Sequence, residues 1–451
     1  MESMMGRKTR SDRAGLLVLA LAAGAALGLS GCGADRPASL SSGPAPNGVV
    51  YGGQQPVAGV TLQLYTVGNS GYGSASSPLG ASFLTTPHGN FTFPTYTCPG
   101  SNPETYLLGT GGTPITGTAN PNLAMMAGLG PCNGVASLPY IDVDELTTVA
   151  TVWSLSGFMT DPTHIGAPAS NLTGLTNAFA AINKVVDIST GTASGPALPA
   201  GATLPVSEIN TLGDILENCI NSAGGNAANS SDGHTDGLPC DKLFYLTKTS
   251  TAPTDTVTAA LNIAKHPSLN VAYLNDLQSS SPAFLPALDV NTPPTDWTIA
   301  INYVGGGLKN PQTVAVDASA NVWVTNPTGN SVTELSNSGA AISGASGFTA
   351  GATLNAPYGI AIDQNGYAWI TNSGDNSITK LAPLGASSSP FSGNGLNTPY
   401  GIAIDGADNV WVVNSGGNSL SGFSNSGSPL PSSAYSGGGL SSPTSIAVNP
   451  K

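Results

Sequence analysis

The sequence predicts a mainly β protein with an α-helical insert: an N-terminal small β-sandwich, a central helical region, and a C-terminal run of repeated strand units. Three observations predict it. The 451 residues include 58 Gly and 35 Pro, yet only 8 % are charged, about a third of the ~25 % usual in globular chains. Near the N-terminus apolar residues alternate with period two, and after residue 140 they switch to helical spacing. In the last third, a motif of several parts recurs in phase.

Composition also excludes function classes. Gly and Pro together stay below the ~25–30 % that marks disordered low complexity, and 40 % of residues are hydrophobic. With 12 Lys/Arg against 25 Asp/Glu, a net charge of −13, the chain is not built to neutralise phosphates, so no nucleic-acid partner is expected. A long coiled coil is excluded by the same scarcity of charge. The acidity is spread along the chain. It reads as a solubility device that also attracts cations weakly.

The N-terminus names a compartment. Arg7, Lys8, Arg10 and Arg13 precede an apolar run from Ala14 to Gly28. The run is too short to span a bilayer comfortably and the right size for a signal-peptide core. It ends in Leu29-Ser30-Gly31-Cys32, which resembles a bacterial lipobox. The resemblance implies residues 1–31 as a lipoprotein signal peptide and lipidation at Cys32. The competing reading is an ordinary secretory signal. Gly33, where inner-membrane lipoproteins usually carry Asp, points to the outer membrane of a Gram-negative-type bacterium. Residues 32–47, rich in Pro and Ser, read as a tether.

Four further cysteines, Cys98, Cys132, Cys219 and Cys240, suit two disulfides in an exported chain. Three connectivities are open, and proximity favours Cys98–Cys132 and Cys219–Cys240. No Cys-x-x-Cys occurs and no His falls at ligand spacing, so a metal site is not expected.

Residues 48–120 read as short strands. Val60, Leu62 and Leu64 alternate with polar residues, Phe91 and Phe93 follow a His88-Gly89-Asn90 turn, and Tyr106-Leu107-Leu108 supplies another strand. The layout resembles the carboxypeptidase-regulatory, prealbumin-like β-sandwich, which implies a spacer or adhesion module. Residues 121–281 read as helical. Asp144 caps a helix with Leu146, Val149, Val152 and Trp153 on one face. Similar faces are Leu175, Phe179, Ile182, Val186; Ile209, Leu212, Leu216, Cys219, Ile220; Val257, Leu261, Ile263; and a short Leu269, Ala272, Tyr273, Leu277. Asp142 joins Asp144 and Glu145 in an acidic trio, the ordinary composition of a first helical turn. Residues 282–296 read as a linker.

Residues 297–451 carry the repeat. Its units are Pro311-Gln-Thr-Val-Ala-Val-Asp317, Pro357-Tyr-Gly-Ile-Ala-Ile-Asp363, Pro399-Tyr-Gly-Ile-Ala-Ile-Asp405 and Pro443-Thr-Ser-Ile-Ala-Val-Asn449. After each of the first three comes a Trp strand, holding Trp323, Trp369 or Trp411, and then an Asn-Ser strand from Asn330, Asn376 or Asn418. Units of about 40–45 residues built of short strands are blades of a β-propeller. The pattern resembles NHL-repeat and streptogramin-lyase-type blades. Trp297–Val304 matches the outer strand of a preceding blade and Pro443–Val448 the first strand of a following one, giving about three and a half blades. Closed propellers typically have four to eight. The expectation is therefore that the reading frame continues past Lys451, or that self-association or a partner chain completes the propeller.

Function is read from what the repeat carries. Asp317, Asp363 and Asp405 sit where a strand turns back, and the three Trp read as inter-blade packing. The loops holding Asn326, Asn330, Asn372, Asp375, Asn376, Asn414 and Asn418 form a neutral candidate ligand face, for a glycan or peptide. Lyases of this type resemblance use His and acidic residues with a divalent metal. The four His here, His88, His164, His234 and His266, all lie outside the repeat. No catalytic residue, metal or cofactor is therefore carried over. The expectation is a surface binding or scaffold lipoprotein leaning away from catalysis; the alternative is a metal-dependent lyase or hydrolase with its active residues in further blades.

Overall fold

The computed structural model describes residues 47–114, 117–386 and 388–448. The expected signal segment, Cys32 and all but the last residue of the expected tether lie outside the described residues. The described chain is mostly strand in several small sheets, with helices between residues 132 and 275 and no closed barrel. Among the described residues no helix is long and apolar enough to cross a membrane.

Two sheets form the N-terminal layer. One has the order Ser77–Leu84, Thr61–Thr66, Glu104–Thr110, Ala124–Pro131, antiparallel throughout. The other centres on Asn47–Gly52, which pairs antiparallel with Gln55–Pro56 and Asn90–Thr92 and parallel with Ile141–Val143. Phe83 of the first meets Phe91 and Phe93 at 5.8 and 5.3 Å between ring centres.

The boundary expected at residue 120 is not a boundary of packing. Strand Ala124–Pro131 continues the first sheet, and one hydrophobic core runs from Val50 through the helices to Trp297. The outer edge of that strand is closed by helices rather than by water. The N–H groups of Ala124, Met126 and Gly128 donate to the hydroxyls of Thr256, Thr148 and Thr151, each at 2.9 Å. An unpaired edge would invite another strand; three threonines occupy it instead.

Helix Glu145–Leu155 is buried on nearly every side, as a helix at the centre of a core must be. Asp144 caps it, accepting from Thr147 N–H at 2.7 Å while Thr147 Oγ1 accepts from Asp144 N–H. Helices Leu172–Val185, Val206–Ile220 and Thr256–Lys265 surround it. The spacings placed all four helices correctly, except that Val186 lies just past its helix, in a two-residue strand. Helix Pro239–Leu246 lies outside those spacings and starts with Pro239 at its first position, a start signal. Cys98–Cys132 and Cys219–Cys240 are the two disulfides.

The expected linker is packed. Phe284 is buried, its N–H donates to Asp214, and Leu288 N–H donates to Thr211 Oγ1. Trp297, expected to begin an outer blade strand, is buried in the N-terminal core, and its carbonyl accepts from Trp153 Nε1 at 2.9 Å.

Three blades follow. The second pairs Pro357–Ile362, Ala368–Asn372, Ser377–Leu381 and Ser388–Ser392 in order. The third pairs Pro399–Ile404, Val410–Asn414, Ser419–Phe423 and Tyr435–Ser436. The first has Val314–Val316, Val322–Asn326 and Ser331–Leu335, with Phe348 bridging Val332 where the others have a fourth strand. The strand expected from Pro443 is absent among the described residues: 443–448 is irregular chain lying against Gly401. Cores form between blades. Trp323 packs with Ile360, Ala368 and Ile370 of the second blade, and Trp369 with Ile402, Val410 and Val412 of the third.

Candidate functional site

Each blade is fastened by the same polar joints. Asp317, Asp363 and Asp405 receive the indole N–H of Trp323, Trp369 and Trp411 on Oδ2 at 3.1, 3.1 and 2.8 Å. Their Oδ1 atoms accept two backbone N–H groups each, closing the turn. Burial pushes these carboxyls up, but the hydrogen bonds outweigh it and hold all three below the ordinary range. The expected turn role of Asp and packing role of Trp are thus two halves of one joint.

The candidate ligand face does not survive as drawn. Asn326, Asn372 and Asn414 are fully buried. Their Nδ2 groups donate to Ser331 and Thr333, to Ser377 and Thr379, and to Ser419 and Ser421, at 2.9–3.4 Å. A buried amide must be satisfied in this way. Asn330, Asn376 and Asn418 are exposed and left-handed, with φ of 47, 59 and 50°. Each Oδ1 accepts from the next repeat: Ala356, Thr398 and Ser442 N–H, at 2.8, 2.6 and 2.7 Å. Asp375 accepts from Ser377 Oγ. The spacing Asn, then Ser five and Ser or Thr seven residues later, present in all three blades, is the signal that marks the buried amides as internal.

A third joint was not anticipated. Gly339, Gly385 and Gly427 have φ of 88, 66 and 83°, and a Cβ on each would run into the ring of Tyr303, Phe348 and Phe391 of the preceding unit. Phe348, Phe391 and Tyr435 in turn lie 6.0, 5.5 and 5.9 Å from the Trp of their own blade. Tyr303 therefore does occupy the place expected of a preceding blade's aromatic, without the strand.

One position differs between blades. Lys380 Nζ sits 3.4 Å from Asp363 Oδ2 and over the rings of Tyr367 and Trp369, 4.5 and 5.0 Å from their centres. In the first blade that position is Glu334. It is 1 % exposed and its Oε2 has no hydrogen-bond partner. Burial, with Asp317 nearby, pushes Glu334 up to about 7.

The histidines are peripheral. His164 pairs with Asp161 at 2.8 Å, His234 lies 3.7 Å from Asp276, and His266 ends the helix Thr256–Lys265. Among the described residues no group of three His, Cys, Asp or Glu side chains is placed to hold a metal ion.

A cleft lined by two buried carboxyls lies in the N-terminal layer. It has about 420 Å³ and is walled by segments far apart in sequence: Tyr51 to Gln54, Asp142 to Leu146, Thr190 to Ala193, Val206, Asn210, and Ala283 to Leu285. Asp142 and Asp144 line it. Gly191, at φ 61°, brings the Thr190–Thr192 turn onto them; a Cβ there would strike Asp144 Oδ2 and lie 3.1 Å from Asp142 Cγ. Asp142 is 8 % exposed and its Oδ1 has no partner. Burial and then the Asp144 charge push Asp142 up to about 8. Burial raises Asp144 to about 7 against the hydrogen bonds from Thr147. Beneath them Glu145 is fully buried, both oxygens 3.0 Å from Gly53 N–H, and raised well above its ordinary range by burial.

No family model and no curated protein matches the chain. Among solved structures, the chain is similar over 32 % of its length to a streptogramin B lyase, at 21 % identity and TM-score 0.26, spanning 45 % of that protein. It is similar over 29 % to virginiamycin B lyase from Staphylococcus aureus, at 19 % identity and TM-score 0.24, again 45 % of that chain. It is similar over 32 % to hydrazine synthase of Kuenenia stuttgartiensis, at 15 % identity and TM-score 0.26, spanning 40 % of that chain. The chain thus spans less than half the length of each of these propeller-like neighbours.

Proposed function

We propose that this chain is an exported, lipid-anchored surface protein that binds or scaffolds through its NHL-like blades. The observation that carries the reading is the use made of the blades' polar groups. Asp, Asn, Ser and Thr side chains of the kind that serve chemistry are engaged in the joints, and no His lies between residues 297 and 451. The ligand-facing surface moves from the Asn loops to the starts of the inner strands. There Tyr358 and Tyr400, both part-exposed, lie 4.2 Å apart between ring centres. Uncharged aromatic rings of this kind suit a sugar ring or a peptide side chain.

A glycan and peptide array tests this. Binding that is lost in the double variant Tyr358→Ala/Tyr400→Ala is the expected result. No signal above that variant would overturn it. The anchor has its own test: Cys32→Ser is expected to release the protein from membranes and to abolish lipid labelling.

The scaffold reading also includes a joining face. Val314 on the first blade is 62 % exposed, whereas the matching Ile360 and Ile402 are covered at 7 % and 8 % by the preceding Trp; Val316, 59 % exposed, matches the part-exposed Ile362 and Ile404. A second copy of the chain would cover that face with a blade of its own. Sedimentation of the full chain is expected to show dimers that Val314→Asp disperses.

A further inference from the structure

The cleft over Asp142 and Asp144 gathers two buried carboxyls and offers no cation to pair with them; without one, burial makes them hold protons, which an incoming cation would displace. No Lys, Arg or His lines it. The ion pairs found among the described residues, His164–Asp161, His234–Asp276 and Lys380–Asp363, all lie elsewhere. Asp142 is more than nine-tenths buried, lines the cleft, and has an acceptor oxygen with no partner. A buried charged acceptor left unmade costs more than a neutral one. The cleft is the open side from which a donor can reach this carboxyl.

The walls say which donor. Leu146 and Phe284 are buried apolar side chains of the lining, and Leu285, also lining it, is 73 % exposed. A bare divalent ion wants several oxygen ligands, and no group of three suitable side chains is assembled here among the described residues. A neutral sugar brings no positive charge to the pair. The volume, about 420 Å³, lies in the range of small-molecule sites. We infer that this cleft binds a small organic ammonium ion, its nitrogen at Asp142 and Asp144 and its alkyl part along Leu146, Phe284 and Leu285. Primary amines are the matching class, because an ammonium brings three N–H donors on a compact charge. This site stands apart from the blades and does not depend on their ligand.

The test is calorimetric titration of the full chain with butylammonium chloride, butan-1-ol and calcium chloride. Saturable binding of butylammonium is expected, with butanol and calcium at least about tenfold weaker. Asp142→Asn keeps the shape and is expected to weaken butylammonium by at least about tenfold. Leu285→Lys is a second variant at an exposed position, and its own ammonium is expected to fill the cleft and block the added amine. If Asp142→Asn does not fold, Leu285→Lys alone decides. Equal binding of butanol, calcium binding in place of the amine, no saturable amine binding, or undiminished binding in the folded variants would each overturn the inference.

Discussion

The two halves of this molecule are held by different means. Residues 47–297 share one apolar core, in which helix Glu145–Leu155 is wrapped by strands and helices drawn from across 250 residues of sequence. The blades have only small cores between neighbours, and each blade repeats the same polar joints at short range. The first half depends on long-range burial, and the second on local bonds repeated in phase. The difference teaches where each half is vulnerable and how far each could be read from sequence.

The largest effect should come from an inter-blade tryptophan. Trp369→Ala removes a fully buried ring and the partner of Asp363, and is expected to cost about 3–5 kcal/mol. Trp411→Ala, whose ring is only part-buried, should cost about half as much. Chemical denaturation of both variants checks this, and equal losses would break the picture of blades held by their successors. Next is the disulfide Cys219–Cys240, which closes a 21-residue separation. Its loss in Cys219→Ser/Cys240→Ser should cost about 3 kcal/mol, and limited proteolysis should show the damage confined to the first half.

Stability should also depend on pH, with the buried N-terminal carboxyls and the Asp joints of the blades acting in opposite senses. Asp142, Asp144 and Asp214 are raised by burial to about 8, 7 and 7. The folded state therefore holds protons that the unfolded chain has already released, and stability is lost as pH rises from about 4 to about 8. The loss should amount to several kcal/mol across that window. Asp317, Asp363 and Asp405 are lowered, so these joints should weaken as pH falls through their folded values, below the ordinary carboxylate range, while Glu334, raised to about 7, adds a loss in the first blade as pH rises. Thermal melts of the full chain across that pH range, with Asp142→Asn as the flattened control, separate the two. The smallest change is Glu334→Lys, which gives the first blade the solution the second already uses at Lys380. It should stabilise by about 1 kcal/mol at alkaline pH, read as a raised Tm.

Legibility followed the same division. The blades were readable because Pro, Asp, Trp and Asn recur in phase, and each does its work within one repeat or the next. What a single repeat could not show was which side of the turn Asn326 faces. An Asn before a Gly-rich turn and an Asn inside a hydrogen-bonded core look alike until the Ser331 and Thr333 partners are read with it. In the first half, helix spacings found the helices but not their neighbours. The parallel pairing of Asn47–Gly52 with Ile141–Val143 leaves no local mark. Of the acidic trio read as a helix start, Asp144 is the cap and Glu145 the first helical residue, but Asp142 lies in the strand Ile141–Val143. Its burial comes from Gly53, Gly191 and Phe284, each brought from elsewhere in the chain.

The bonds from Asn330, Asn376 and Asn418 all point the same way along the chain, each to an amide 22 to 26 residues ahead. A unit of this kind carries its own coupling and needs nothing from its successor except a free backbone N–H, which nearly any residue supplies. Gene duplication of one unit therefore copies the fastener along with the part it fastens. The segment between the coupling and the next Pro can lengthen or shorten, as the unequal spacings of 46, 42 and 44 residues between prolines show. Growth by repetition is built into the chemistry of one side chain.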